Sequence, residues 1–367
     1  MRQLKYSERL GEIQDKTFQL ALERWGLGDL LSAQAIPFGL FGQNVFLNST
    51  QGQYVFRGNP MYQGQFETER FMAEHLHTKA QVPVPWPYLV DASDDLFGWP
   101  YALMPRLRGL QLASPDVRAT LSEKDRLELA ELIGRNLARM HRLKQPYPGE
   151  YDPATDTVRP LTVTYVPRWL RTPEGWENGS DSTLSSGEVH QRWIESKIGF
   201  LLDRALQASD TATGRTTTSH DVEWISRILS DSKAALREPF QPCFVMHDYK
   251  EGNVVAEKTA GQWRITGVVD LMEAYFGDAE ADLSRSLTEY GIGDKGSDAR
   301  AYLFLDAYLG SREDPTVRPG FRERFAVYML TDRLIGWSYG RKLGWFDGIP
   351  DFRTYCEPHL SLKPEYA

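Results

Sequence analysis

The stretch that most restricts the fold runs from residue 243 to residue 270 and reads "CFVMHDYKEGNVVAEKTAGQWRITGVVD". Its apolar runs are too short for helices and read as strands. "FVMHD" and "NVVAE" flank a tight polar loop, and "ITGVVD" ends on Asp270. A hairpin of this kind, with acids at its open edge, places Asp248, Asn253 and Asp270 close in space. An Asn amide and an Asp carboxylate are hard oxygen donors that suit Mg2+, which also takes water and phosphate oxygens. Asp248 is then left to orient or deprotonate a hydroxyl. Positioning, metal charge and a base are the parts that phosphoryl transfer requires. A plain polar turn is the competing reading, since Asp and Asn both favour turns. Asp270, directly after the apolar "GVV", is less easily explained that way.

Other strand signals fall in the first hundred residues. Residues 7 to 31 have near-helical spacing of apolar positions and predict a helix. "NVFLNS" and "QYVFRG", joined by "TQG", predict a β-hairpin. "QGQFETERFMAEHLHT" predicts a helix, and the prolines of "VPVPWPYLV" then force an extended chain. "GWPYALMPRL" predicts a strand that stops at Pro105. From about residue 120 the texture turns helical. In "EKDRLELAELIGRNLARMHRL", Leu129, Ile133, Leu137 and Met140 share one face. Residues 144 to 190, rich in Pro, Gly, Ser, Thr and Asp, read as an insertion or long loops, and "QRWIESKIGFLLDRALQA" as a further helix. The expected fold class is α+β, with a unit at 1–103 built on a small sheet, a hinge at 104–109, and a larger, mainly helical unit at 110–367.

A formal net charge of −8 argues against a general nucleic-acid binder, which would present a basic surface. Two cysteines, Cys243 and Cys356, with no CxxC pattern, leave no zinc cluster and no disulfide framework. The first residues, "MRQLKYSERLGEIQDK", lack the apolar segment of a signal peptide, and no run approaches the ~18 apolar residues of a membrane span. The expectation is a cytoplasmic protein with no membrane partner.

"HDYKEGNVVAEKTAGQWRITGVVDLMEAYFGDAEADLSR" resembles the signature region of the aminoglycoside phosphotransferase family, small-molecule kinases of the protein-kinase-like fold. The family pattern is an Asp, an Asn five residues later, and a second Asp ending the next strand, followed by a run like "DLMEAYFGDAEADL". "QNVFLNSTQGQYVFR", "VPVP", "ALMPRLRGLQL" and "LARMH" extend the likeness over most of the chain. It implies a bilobal fold whose N-terminal lobe binds ATP or GTP with Mg2+. By it Asp248 is the catalytic aspartate, Lys250 contacts the transferred phosphate, Asn253 and Asp270 hold the metal, and Asp282 buttresses the catalytic loop. Gly39 and Gly42 in "FGLFGQN" correspond to a loop over the phosphates, and Met104 lies in the stretch whose backbone meets the purine. Two departures stand out. The family usually reads His-Gly-Asp where this chain has Met246-His247-Asp248, and Arg57 stands where a phosphate-binding lysine is usual. The helix partner of Arg57 is Glu69, with Glu67 as the alternative.

Only "LMEAYFG" separates Asp270 from Asp278, too short for the activation segment of a protein kinase. That implies a small-molecule hydroxyl acceptor: an aminoglycoside-like compound, another antibiotic, a sugar or an amino alcohol. Glu273, Asp278, Glu289, Tyr290, Trp337 and Tyr339 are the candidate acceptor-lining residues, acids for cationic groups and aromatics for stacking. The alternative is a catalytically inactive kinase-like module that binds nucleotide.

Overall fold

The alternation in "NVFLNS" and the turn that follows it become a two-residue hairpin, Asn44–Ser49 against Gly52–Gly58, with Ser49 opposite Gly52. The computed structural model describes residues 3–36, 41–112, 114–171, 183–207, 217–293, 299–342, 346, 348–363 and 366. In chain order the strands and helices are β1 Gln3–Ser7, β2 Gly11–Gln14, α1 Asp15–Arg24, β3 Leu30–Ala35, β4 Asn44–Ser49, β5 Gly52–Gly58, α2 Gln65–Thr78, β6 Leu89–Asp91, β7 Tyr101–Pro105, β8 Leu110–Gln111 and α3 Pro115–Thr120. They continue with α4 Glu123–Met140, β9 Gly149–Asp152, β10 Thr157–Pro160, α5 Ser186–Gln207, α6 Ser219–Arg237, β11 Cys243–Val245, β12 Val254–Thr259, β13 Gln262–Val268 and β14 Tyr275–Gly277. Helices α7 Leu283–Glu289, α8 Ala299–Ser311, α9 Phe321–Lys342 and α10 Phe352–Cys356 complete the chain.

Two compact units divide these elements. Met1–Ser122, Tyr151–Thr157 and Gly252–Glu273 form the first, and the remaining segments form the second. The first unit thus runs on past residues 104–109 to Ser122, and it includes the β12–β13 hairpin. The reason is a strand pairing: Leu110 and Gln111 of β8 lie opposite Ala256 and Val255 of β12.

The first unit carries an antiparallel sheet in the order β3-β4-β5-β7-β6 and a smaller one in the order β13-β12-β8. Val45, Leu47 and Phe56 point from the large sheet into a core shared with Phe18 and Leu22 of α1. Only Asp15–Arg24 of the segment 7–31 is helical. Gly11, at φ +66°, closes a β1–β2 hairpin before the helix, and Gly26 and Gly28 take left-handed φ after it. Helix α2 buries Phe66, Glu69, Met72, Ala73 and Leu76, a helical stripe with one acid in it. The β12–β13 turn has Ala260 and Gly261 at φ +51° and +84°, the left-handed pair that suits a two-residue hairpin.

In the second unit β11 pairs with β14, Val245 opposite Tyr275, and this fixes the strand that runs into residue 248. Within 144–171, read as an insertion or long loops, β9 and β10 continue the strand order β10-β9-β14-β11, and Arg168–Leu170 make a short helical turn. Around it α5, α6, α9 and α10 enclose Trp193, Ile194, Trp224, Leu334 and Trp337. The expected face of α4 is buried, Leu129, Ile133, Leu137 and Met140 included. Both cysteines are buried and free. Among the described residues no helix is long and apolar enough to cross a membrane.

Helices α4 and α8 approach so closely at Gly134 that a Cβ there would lie 2.3 Å from the Phe304 carbonyl oxygen. In an exposed helix Gly→Ala stabilises by about 1 kcal/mol. Here the obstacle is backbone, which cannot swing aside, and overpacking costs roughly 1–3 kcal/mol. Gly134→Ala is expected to destabilise the fold in urea unfolding. A gain in stability would mean that the two helices part freely.

Candidate active site

In the first unit the centre of charge is Arg57, at the end of β5 and 7% exposed. Its Nη2 lies 3.1 Å from Glu69 Oε1 and 3.0 Å from Asp270 Oδ1. Of the two glutamates considered for it, Glu69 is the paired one. Gln65 donates to the same Glu69 at 2.8 Å and the Tyr88 hydroxyl at 2.5 Å. Burial pushes the Glu69 carboxyl up, and Arg57 opposes this. Against the burial that would lower it, Glu69 and Asp270 hold the guanidinium firmly charged. Arg57 Nε, also buried, has no hydrogen-bond partner among the described residues.

Strand β13 ends at Val268, two residues before Asp270, which takes φ +70°. The Val269 N–H donates to the Asn253 carbonyl at 3.0 Å, so the backbones of the two oxygen-donor residues are tied together. One guanidinium between two carboxylates leaves a net negative charge, and an Asn side chain carries a neutral oxygen donor. This donor set fits Mg2+, which binds few protein ligands and completes its shell with water and phosphate. Among the described residues no cluster of three or more His, Cys, Asp or Glu could hold a metal.

In the second unit Asp248 receives Lys250 Nζ at 2.8 and 2.7 Å and Arg285 Nε at 2.8 Å. Burial works against its charge, but Lys250 and Arg285 prevail and hold the carboxyl below the usual aspartate value. The loop before it is fixed from behind. Asp282, fully buried, accepts the backbone N–H groups of Met246 at 2.7 Å and His247 at 2.6 Å. His141, from "LARMH", reaches the same carboxylate at 3.2 Å. The Tyr249 hydroxyl donates to the Ile133 carbonyl, and Ser286 Oγ donates to the Tyr249 carbonyl.

His247 has φ +71°, a conformation that glycine adopts without penalty and other residues at a cost of about 1 kcal/mol or more. The related pattern has glycine at this position, so the departure is a strained residue rather than a displaced histidine. Lys197 lies 2.6 Å from His247 Nε2. Burial, then Lys197, keeps the imidazole well below its ordinary pKa and therefore neutral.

Other expected residues are placed differently. Asp278 is buried and accepts from Arg318 at 2.5 Å and Tyr328 at 2.8 Å, so it braces the helical core rather than facing an acceptor. Tyr290 is buried against Phe304, and Trp337 is buried with its indole N–H donating to Thr217. Glu273 and Glu289 are half-buried, and Tyr339 is exposed. None of these six is on the wall of the cavity that Lys197, His247 and Asp332 help to line. Met104 is buried on β7 opposite Val55, Gly42 takes φ +58° with its carbonyl accepting from Ser7, and Gly39 lies outside the described residues.

Three residues that the sequence reading did not single out join the site: Arg285, Asp332 and Lys197. Arg285 had a signal, since it follows Asp282 by three positions and so shares its face of the chain. Lys197 had none, in a helix that reads as ordinary scaffold.

A family model for the phosphotransferase enzyme family, APH, matches residues 32–321. The chain belongs to this family. Among curated relatives, homoserine kinase of Burkholderia mallei (strain SAVP1) is 30% identical over 140 residues, 37% of this chain and 39% of that protein. Homoserine kinase of Burkholderia thailandensis is 29% identical over the same length. The match thus spans about two-fifths of these relatives. The fold is also that of wild-type aminoglycoside 2'-phosphotransferase-IIIa in its GDP complex, at 12% identity and TM-score 0.56, covering 96% of this chain and 97% of that one. Choline kinase LicA from Streptococcus pneumoniae aligns at 13% identity and TM-score 0.54, over 94% and 96% of the two chains. Family and fold together make the chain an α+β, kinase-like member of the phosphotransferases.

The neutral state of His247 has a consequence for stability. An unfolded histidine takes up a proton near pH 6.5, and the buried one does not until well below that. Stability therefore falls as pH drops below about 6.5, by up to ~1.4 kcal/mol per pH unit from this residue. His247→Asn, which tolerates the backbone conformation, removes that component. Urea unfolding at pH 7.5, 6.5 and 5.5 checks it: equal pH slopes for both proteins would mean that His247 titrates as in an open chain.

Proposed function

We propose that the chain is an Mg2+-dependent small-molecule kinase that moves the γ-phosphoryl group of ATP or GTP to an alcohol. The observation that carries this reading is Asp248: an ionised carboxylate, fixed by its loop, in a member of a phosphotransferase family. Relatives in fold were solved with ADP and hygromycin B or with GDP, which supports a nucleoside triphosphate as donor.

In the transfer the acceptor oxygen forms its bond to the γ-phosphorus while the bond to the bridging oxygen breaks. The nucleoside diphosphate leaves, and the hydroxyl proton passes to Asp248. A carboxylate held below its usual pKa is a weak base, so its main work is orientation, with the proton taken late. Lys250, already on Asp248, is a cation for the moving phosphoryl group. Asn253 and Asp270 would hold Mg2+, which when bound neutralises the β- and γ-oxygens. Arg57, charged and with its buried Nε unmatched, would meet a nucleotide phosphate as the usual lysine does, through a planar fork instead of a point charge.

The acceptor classes expected from the sequence were an aminoglycoside-like compound, another antibiotic, a sugar or an amino alcohol. Of the acids that favoured a polycation, Asp278 is engaged by Arg318. The homoserine kinase relatives instead support a small amino alcohol. An inactive nucleotide-binding module is the weaker reading, since Asp248, Asn253 and Asp270 are all present.

Asp248→Asn keeps the shape and loses the base, so kcat should fall about 10²–10⁴-fold with little change in nucleotide affinity. Weak nucleotide binding with intact kcat would mean that Asp248 is scaffold or metal ligand. Asp270→Ala should remove the Mg2+ dependence of nucleotide binding, read by titration calorimetry at low and high Mg2+. Unchanged binding at limiting Mg2+ would reassign the metal site.

A further inference from the structure

Asp282, Arg285 and Ser286 are spaced i, i+3, i+4 at the start of α7 and so share one face of the chain. All three meet the loop that carries Asp248. Asp282 accepts the N–H groups of Met246 and His247, Arg285 Nε donates to Asp248 Oδ1 at 2.8 Å, and Ser286 Oγ donates to the Tyr249 carbonyl at 2.7 Å. One turn of helix thus runs along residues 246–249. Asp282 and Ser286 hold the backbone of the loop, whereas Arg285 holds the side chain that the kinase reading makes its base.

The two cations on Asp248 are held differently. Lys250 leaves the same loop two residues on, and its ammonium meets both carboxylate oxygens, at 2.8 and 2.7 Å. It is a point charge on a flexible stem. Arg285 is anchored at both ends. Beyond Asp248, its Nη1 forms an ion pair at 3.9 Å with Asp332 Oδ1 of α9. Asp332 in turn accepts from the Thr288 hydroxyl at 3.0 Å and from Arg333 at 3.1 Å. An arriving γ-phosphate carries more negative charge than a carboxylate and would draw Lys250 to itself. Arg285, tied by Asp332, would stay. A carboxylate has about four lone-pair sites, so Asp248 can keep Arg285 and still receive a hydroxyl.

We propose that Arg285 is a positioning residue for the transfer: it stays on Asp248 Oδ1 when Lys250 turns to the phosphate, and so fixes the plane of the carboxylate toward the acceptor hydroxyl. The inference rests on the kinase reading and adds to it a residue that acts through Asp248 alone. The arrangement costs basicity, because a permanent cation weakens Asp248 as a base. Orientation outweighs that cost, since the proton moves late and a misplacement of about 1 Å can slow a reaction ~100-fold.

The test uses the full chain with Mg-ATP and a panel of homoserine, glycerate, glycerol, choline and kanamycin, read by ³¹P detection of the phosphorylated product. With the best of these acceptors, Arg285→Met should lower kcat about 10- to 100-fold, the usual loss for a hydrogen bond to a charged group, and leave the nucleotide KM unchanged. Arg285→Lys should recover part of kcat. In an Asp248→Asn background Arg285→Met should cost nothing further, because the carboxylate through which Arg285 acts is gone. An unchanged kcat in Arg285→Met overturns the proposal, as does a full additional loss in the Asp248→Asn background. A crystal structure of the wild type with Mg2+ and a non-hydrolysable ATP analogue reads the geometry directly. It decides alone if none of these compounds is phosphorylated or if Arg285→Met does not fold. The expected result is Lys250 within hydrogen-bond reach of the γ-phosphate and Arg285 still on Asp248; either cation elsewhere overturns the proposal. Failure of Mg-nucleotide to bind at all, read by calorimetry, would sink the kinase reading, whereas a displaced Arg285 would sink only this inference.

Discussion

Asp282 sits with no exposure at all and accepts two backbone N–H groups, from Met246 and His247. A buried carboxylate without partners would be costly, and this one is matched by two short hydrogen bonds and His141. The bonds hold the chain in the left-handed turn at residue 247, which a non-glycine residue would otherwise avoid. Asp248 is thereby aimed by backbone, not by its own side chain. Everything proposed for the site in the second unit follows from that turn: the meeting of Asp248 with Lys250 and Arg285, and the meeting of His247 with Lys197.

Arg57 plays the comparable part in the first unit. It comes from a strand, Glu69 from a helix and Asp270 from the end of a second sheet, so one guanidinium joins three elements. Nη2 lies against both carboxylates and Nη1 donates to Asn44 Oδ1 at 3.3 Å, so the donors sit on two nitrogens of one rigid plane, where an ammonium would offer all three N–H groups from a single rotating nitrogen. Replacing the usual lysine is therefore a change of geometry with the charge kept. Two of the left-handed non-glycine residues, His247 and Asp270, flank the β12–β13 hairpin on its two sides along the chain. One of them precedes Asp248 and the other is the acid that meets Arg57.

Much of this was legible in the sequence. The spacing of Asp248, Asn253 and Asp270, the hairpin strands and the buried face of α4 all follow from local pattern, where period and turn chemistry decide. The helix expected at 7–31 failed because Gly11, Gly26 and Gly28 impose left-handed turns that apolar spacing does not register. The pairing of β8 with a strand more than 140 positions away was not legible, because no local signal reports such pairing. The partners of the acids were hidden for a related reason. Asp278 looks free in sequence, but its partners Arg318 and Tyr328 arrive from 40 and 50 residues downstream.

Net charge misleads in the same way. A chain at −8 suggests affinity for cations. The acids that give this total are unevenly placed. Glu150 is buried between Arg168 and Arg171, and Glu280 between Arg318 and Arg324, so their fields are largely cancelled within the core. Next to Asp248 the partners are the basic Lys250 and Arg285. Specificity for a small acceptor depends on that local field within a few ångströms, because charges farther away are screened by water and salt. Overall acidity is therefore a poor guide to the charges that face Asp248, where Lys250 and Arg285 are the near partners.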